Sequence, residues 1–296
     1  IIKPSFEIWD QEEGLEGIYK QIEKAGRVCY KSEDKITETS AKEFVDRMIK
    51  SGHGAMLEHG TVYLQYEVVK SAINPLTKYY LNKYSKVKAK EGAIGETMRL
   101  FVTTNLRVLV ENDWLKDLEY ICEPTEYHER RVTIHFVCDR GVSHEFVRHR
   151  VFSFAQESTR YCNYSKDKFQ GVTYIQPPWL DGDISNEDGS KFYDVYTDVY
   201  LHTLTTAENA YLDLLKQWDE KVPDKRFKSG YKNNPWTPQQ ARAVLPNSLK
   251  TELVMTGFTK DWGHFFKLRD AGSAHPQARE LAHPLHEEFK NRNLLN

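Results

Sequence analysis

The sequence predicts an α+β protein, on three observations. Amphipathic runs at helical spacing open and close the chain, two segments alternate with a period of two, and no internal repeat divides its 296 residues. That length is enough for one body with a substantial core, and a single domain over 1–296 is expected.

Leu15, Ile18, Ile22 and Ala25 mark a first helix, and "TSAKEFVDRMIKSG" places Phe44, Val45, Met48 and Ile49 on one face before Gly52. "GTVYLQYEV" then sets Val62, Leu64 and Tyr66 against Tyr63, Gln65 and Glu67, the pattern of a half-buried strand, and "RRVTIHFVCD" is a second strand. The segment from about 68 to 130 reads as an insertion between two strands that a hairpin would otherwise join. Its "KYYLNKYSKVKAKEG" carries Lys78, Lys83, Lys86, Lys88 and Lys90 before the first acid, Glu91. A solvated helical face is expected there rather than a nucleic-acid stripe.

"YIQPPWLDGDISNEDGS" is a loop by its Pro, Gly and Asp content. A long helix is expected from about 191 to 217, with Phe192, Val195, Val199, Leu201, Leu204 and Leu214 toward the core. In "TPQQARAVLP", Thr237 caps, Pro238 takes the first helical position and Gln240 completes a capping box, which fixes the helix carrying Arg242. "KDWGHFFKLRDAG" predicts a helix capped by Asp261, with Trp262, Phe265, Phe266 and Arg269 on or beside one face. "HPQARELAHPLHEEF" predicts a last helix, interrupted near Pro284.

Composition narrows the function classes. Hydrophobic residues at 40% and charged residues at 28% argue for a folded chain. No run approaches the roughly 18 apolar residues of a membrane span, and "IIKPSFEIWDQEE" has no export pattern. Cys29, Cys122, Cys138 and Cys162 form no C-x-x-C pair, so reduced thiols and a cytoplasmic setting are expected. A net charge of -2 exerts no general pull on nucleic acid, so any anion site must be local.

The chemistry concentrates in "RHRVFSFAQESTRY", residues 148–161. Zinc hydrolysis fails on spacing: His144 and His149 are five apart, about 140° around a helix, and do not share one ion. No metal is expected. Ser153 and Ser158 lie in no nucleophile elbow. Arginine forks combined with a serine hydroxyl match a nucleotide phosphate instead. On a helix ending near Arg150, Glu145 and Arg148 would share a face while His149 and Arg150 point elsewhere, which suits two ligands. As purely structural groups, Glu145 would pair with Arg148 or His149, and Arg269 would offset the end of its helix dipole.

"RHR", then seven residues, then Ser158 and "STRY", resembles the signature of the flavin-dependent thymidylate synthases. "HEFV" before it, "GRVCY" and "KSGHGAMLEH" upstream, and "QQARAVLP" and "WGHFFKLR" downstream are similar to further elements of that family in the same order. The resemblance implies a central mixed or antiparallel sheet flanked by helices and a homotetramer. It also implies reductive methylation of dUMP to dTMP, with methylenetetrahydrofolate as carbon donor, FAD as hydride carrier and NADPH as reductant.

By motif position, the resemblance assigns His53, Arg148, His149, Arg150, Gln156, Phe258 and His264 to FAD. It assigns Glu145, Phe146, Val147, Arg148, Gln156, Glu157, Ser158, Thr159, Arg160, Arg242 and Arg269 to dUMP, with Arg269 the catalytic group at the pyrimidine. Phe258 departs from the family's usual asparagine, and Ala155 from a usual polar residue. The competing expectation is a non-catalytic nucleotide- or RNA-binding protein that uses the basic segment.

Overall fold

The computed structural model describes residues 1–69, 77–92, 95–180, 194–216 and 235–295. In chain order the elements are β1 (Ser5–Trp9), α1 (Gly14–Tyr30), α2 (Ser40–Lys50), α3 (Gly54–Leu57) and β2 (Thr61–Val69), then α4 (Thr77–Leu81), β3 (Lys86–Glu91), β4 (Thr97–Asn105) and α5 (Leu106–Glu111). There follow β5 (Arg131–Asp139), α6 (Arg140–Phe146), β6 (Ser153–Gln156), α7 (Val195–Leu215), α8 (Pro238–Ala241), β7 (Lys250–Phe258), α9 (Thr259–Arg269) and α10 (Pro276–Asn291). No described helix is long and apolar enough to cross a membrane.

The strands form two antiparallel sheets, β1-β5-β7-β6 and β2-β4-β3, so the α+β class holds. The four-stranded sheet is covered on both faces. Val132, Ile134, Phe136 and Cys138 on β5, with Leu253 and Met255 on β7, pack against α6, α9 and α10. Toward α1, Val254 and Ala155 meet Ala25, Val28 and Trp9. β7 is buried from its second residue to its last, so it shows no alternation for a sequence pattern to report.

A second core joins α1, α2 and α5 to β2 and β4, through Ile18, Ile22, Phe44, Val45, Leu64, Val102 and Leu109 among others. The two strands legible in the sequence do not make the expected pair. β2 pairs with β4 over nine residues, whereas β5 lies between β1 and β7. The described part of 68–130 therefore extends the sheet of β2. Lys86, Lys88 and Lys90 sit on strand β3 and not on a helical face, because Val87 reaches the second core while alternate lysines face out.

Three helix expectations are corrected. α9 begins three residues early, with Phe258 at the cap and Asp261 in the first turn, where its carboxylate meets the positive end of the dipole. α10 runs through Pro284 unbroken, because Ala278, Leu281, Ala282, Leu285 and Phe289 bury one continuous face and offset the lost hydrogen bond. α7 buries Leu204 and Tyr211 but leaves Val195 72% and Val199 62% exposed. Its expected ends at 191 and 217, with Phe192, lie outside the described residues. The capping box of Thr237 and Gln240 forms as expected, and α8 tightens at once into a 3-10 turn over Arg242–Val244.

Close packing of β7 on the aromatic core has a measurable consequence. A Cβ on Gly257 would lie 2.4 Å from the Phe152 ring, which is itself packed on Trp262 with centroids 4.6 Å apart. Gly257→Ala should lower the unfolding free energy by about 1–3 kcal/mol, read from the urea midpoint. An unchanged midpoint would show that Phe152 has room to move.

Candidate functional site

Arg269 is the last residue of α9, and the aromatic residues before it fix its direction. Trp262, Phe265 and Phe266 are buried, and Trp262 Nε1 donates to the Val132 carbonyl at 3.2 Å. The guanidinium emerges beside the end of α6. Its Nε donates to His149 Nε2 at 3.1 Å, its Nη2 to the Glu145 carbonyl at 2.7 Å, and its Nη1 pairs with the Glu145 carboxylate. A guanidinium carries five N–H donors and accepts nothing, so His149 Nε2 must be unprotonated, and two donors remain after these contacts.

This geometry overturns the division of faces expected from a helix ending near Arg150. α6 starts on its Asp139 cap, whose Oδ1 accepts from Val142 N at 2.8 Å, and it ends at Phe146. The chain then turns: His149 N donates to the Phe146 carbonyl at 3.1 Å, and Phe152 N donates to that of His149 at 3.1 Å. The turn brings Glu145 and His149 to the same arginine. Glu145 pairs with neither Arg148 nor His149. Arg148 and Arg150 are exposed and make no ion pair among the described residues.

The other expected residues fall into distinct settings. His264 stands beside His149, with ring centroids 6.1 Å apart. Phe146 is fully buried between Phe136 and Phe265, and Val147 packs on the same core. Their side chains build the wall behind Arg269. Gln156 Nε2 donates to Ser143 Oγ at 2.9 Å and Thr251 Oγ1 at 3.3 Å, which ties β6 to α6 and β7. Ser158 N donates to the Cys29 carbonyl at 3.0 Å, Arg160 lies exposed against Tyr161, and Arg242 Nη1 donates to the buried Thr159 Oγ1 at 3.0 Å.

Glu157 is 2% exposed, and both its oxygens are taken, by Tyr164 Oη and Lys250 Nζ at 3.0 Å each. Lys250 also reaches Glu252 at 2.5 Å, and Glu252 binds Lys31 at 2.8 Å and His135 at 2.9 Å. Burial opposes ionisation of Glu252, yet its contacts with His135, Lys250 and Lys31 hold its carboxyl well below the usual range. The sequence reading passed over this network. Its one signal was the period-two spacing of Lys250 and Glu252 at the start of β7.

Phe258 is nearly buried, with Arg131 and Lys86 each 5.7 Å from its ring centre. His53 precedes α3, exposed, and lines a cleft with the ends of α1 and α2; no described contact joins it to the Arg269 cluster. Burial raises all four thiols, Cys29 to about 11 and Cys162 to about 12, so none is poised as a thiolate. The arrangement thus offers a fixed guanidinium for charge growing on a planar ligand, with free arginines nearby for phosphate.

Comparison with known proteins bears on this cluster. The family model described as "Thymidylate synthase complementing protein" matches residues 125–292, more than half of the chain. Similar proteins named "Flavin-dependent thymidylate synthase" come from Corynebacterium diphtheriae, 29% identical, and Mycobacterium avium, 30% identical, each over 143 residues. Both alignments cover 48% of this chain and 50% of the relative, so the chain matches about half the length of these proteins. Every expected site residue except His53 lies in the family-matched range.

Three buried histidines, His59, His128 and the site's His149, are held below their usual range and make the fold sensitive to acid. Burial, then the charges of Arg269 and His264, pushes His149 down to about 4. Burial, then Arg131, pushes the fully buried His59 down to about 3. Both lie below the unfolded value near 6.5, so on acidification the unfolded chain takes up protons first. The stability these neutral rings contribute is complete above about pH 6.5 and is lost as pH falls through 4 and then 3. Urea unfolding from pH 6.5 to 5 should show net proton uptake, and His149→Gln should remove about one proton of it. An identical pH slope in that variant would contradict the assignment.

Proposed function

Because the chain belongs to the flavin-dependent thymidylate synthase family, we propose that it catalyses the reductive methylation of dUMP to dTMP. In this reading methylenetetrahydrofolate is the carbon donor, FAD the cofactor and NADPH the reductant. The observation that carries it is the Arg269 clamp, a guanidinium oriented by Glu145 and His149 with two donors to spare.

Uracil C5 becomes nucleophilic only as negative charge grows on N3 and the ring carbonyls. Arg269, already held in place, stabilises that charge without reorganising, an effect worth about 3–4 kcal/mol. Neutral His149 accepts one of its N–H bonds without adding charge, while the Glu145 carboxylate orients the guanidinium and offsets part of its charge. Arg242, fixed by Thr159, and Ser158 and Arg160 on the adjoining turn supply phosphate and sugar contacts. Phe146 and Val147 shape the wall behind them, while Glu157 acts through its bond to Lys250 by holding the chain on either side in register.

The residues present suit a dinucleotide cofactor. Arg148 and Arg150 are exposed cations with no ion pair among the described residues, fit for a pyrophosphate, and His264, beside His149, and Gln156, held by Ser143 and Thr251, offer further polar contacts. FAD, when bound, supplies hydride transfer to the transferred one-carbon unit. Phe258, with no polar side-chain atom, contributes only packing. His53 lines a separate cleft and is assigned to the flavin on the family resemblance alone, and a cytoplasmic homotetramer with sites between subunits accords with the same resemblance. The RNA-binding alternative gains little: Lys86 sits over Phe258, and Lys90 donates to Tyr127 Oη at 2.5 Å.

Purified protein should be yellow or take up added FAD. With FAD, NADPH and methylenetetrahydrofolate it should release label from C5 of dUMP and form dTMP. Arg269→Ala should lower kcat by about 100- to 1,000-fold. Full turnover in that variant would remove Arg269 from catalysis. Arg242→Ala should act mainly on the KM for dUMP, raising it about tenfold or more, as expected for loss of a charged phosphate contact.

A further inference from the structure

The cleft beside His53 carries a charge pattern that the proposed reaction has not used. It has a volume of about 780 Å³ and lies between the end of α1, α2 and the segment holding Lys168. Lys35, Arg47, Lys50 and Lys168 converge on it from three parts of the chain, all exposed, and none pairs with a carboxylate among the described residues. No described acid lines it.

Its floor is aromatic. The Phe44 ring lies between Arg27 at 5.0 Å and Arg47 at 5.7 Å, while Tyr30, 44% exposed, stacks toward Tyr161 with centroids 5.2 Å apart. Tyr161 closes the turn that begins at Ser158. The cleft thus adjoins, through the Tyr30–Tyr161 ring contact, the segment assigned to dUMP, and His53, assigned to the flavin, is part of its lining. Four like charges around one opening repel each other until an anion enters.

We propose that this cleft holds the acidic tail of the carbon donor: a chain of glutamate carboxylates, with its aminobenzoyl ring against Tyr30 and Phe44. The proposal rests on the thymidylate synthase reading for the identity of the ligand. It assigns Lys35, Arg47, Lys50 and Lys168 to the binding of successive carboxylates, so affinity should rise with tail length and fall with salt.

The test is calorimetric titration of the intact protein with pteroylmonoglutamate, pteroylpentaglutamate and free γ-pentaglutamate, at low and high salt. The pentaglutamate conjugate should bind about tenfold or more tighter than the monoglutamate at low salt, and Arg47→Glu with Lys50→Glu should erase that difference. Both side chains are exposed, and an unchanged thermal midpoint will confirm that the double variant is folded. Equal affinity for the two conjugates, or a tail effect that survives the double variant, overturns the proposal. Free pentaglutamate separates the two readings. Saturable, salt-sensitive binding lost in the variant keeps the cleft even if no dTMP forms, and no binding sinks the cleft even if dTMP forms. Competition by NADPH against free pentaglutamate would instead give the cleft to a phosphate ligand.

Discussion

The position of Arg269 depends on the burial of Trp262, Phe265 and Phe266 beneath β5 and β7. A guanidinium on a long side chain gives up much conformational freedom when held in one place, and the helix beneath it must not slide. Three large rings wedged against Phe136, Phe146 and Phe289 prevent that, because a shift of one residue would expose or collide with all of them. The α6 turn is set on the same rings, so the arginine and its two acceptors share one foundation.

Ionic contacts refine what packing fixes. The bonds among Glu157, Lys250, Glu252, Lys31 and His135 lie largely out of water and join α1, β5, β7 and the chain after β6. A buried carboxylate without such partners would cost several kcal/mol, so the network adds specificity of position more than net stability. It holds Gln156 and Ser158, on either side of Glu157, in a defined register with β7.

Much of the site was legible as spacing, and less of it as geometry. The seven-residue gap from Arg150 to Ser158 and the capping box before Arg242 report local chain paths, which sequence encodes directly. The meeting of Glu145, His149 and Arg269 spans 124 residues and depends on where α6 stops, which Asp139 and the buried Phe146 decide together. Strands went unread for a related reason. β7 is buried on both faces, and β6 is only four residues long, too short for a period to register. β2 and β5 were found because they keep partial alternation, yet alternation names no partner, so their placement in separate sheets was hidden.

The lysines of β3 have a consequence beyond the site. β3 is an edge of its sheet, paired only with β4 among the described residues, and an open edge is a template on which another chain can add a strand. A molecule of net charge -2 has little long-range repulsion to keep copies apart. Lys86, Lys88 and Lys90 supply that repulsion at this edge, placing three like charges along a strand on which stacking into fibres would otherwise begin.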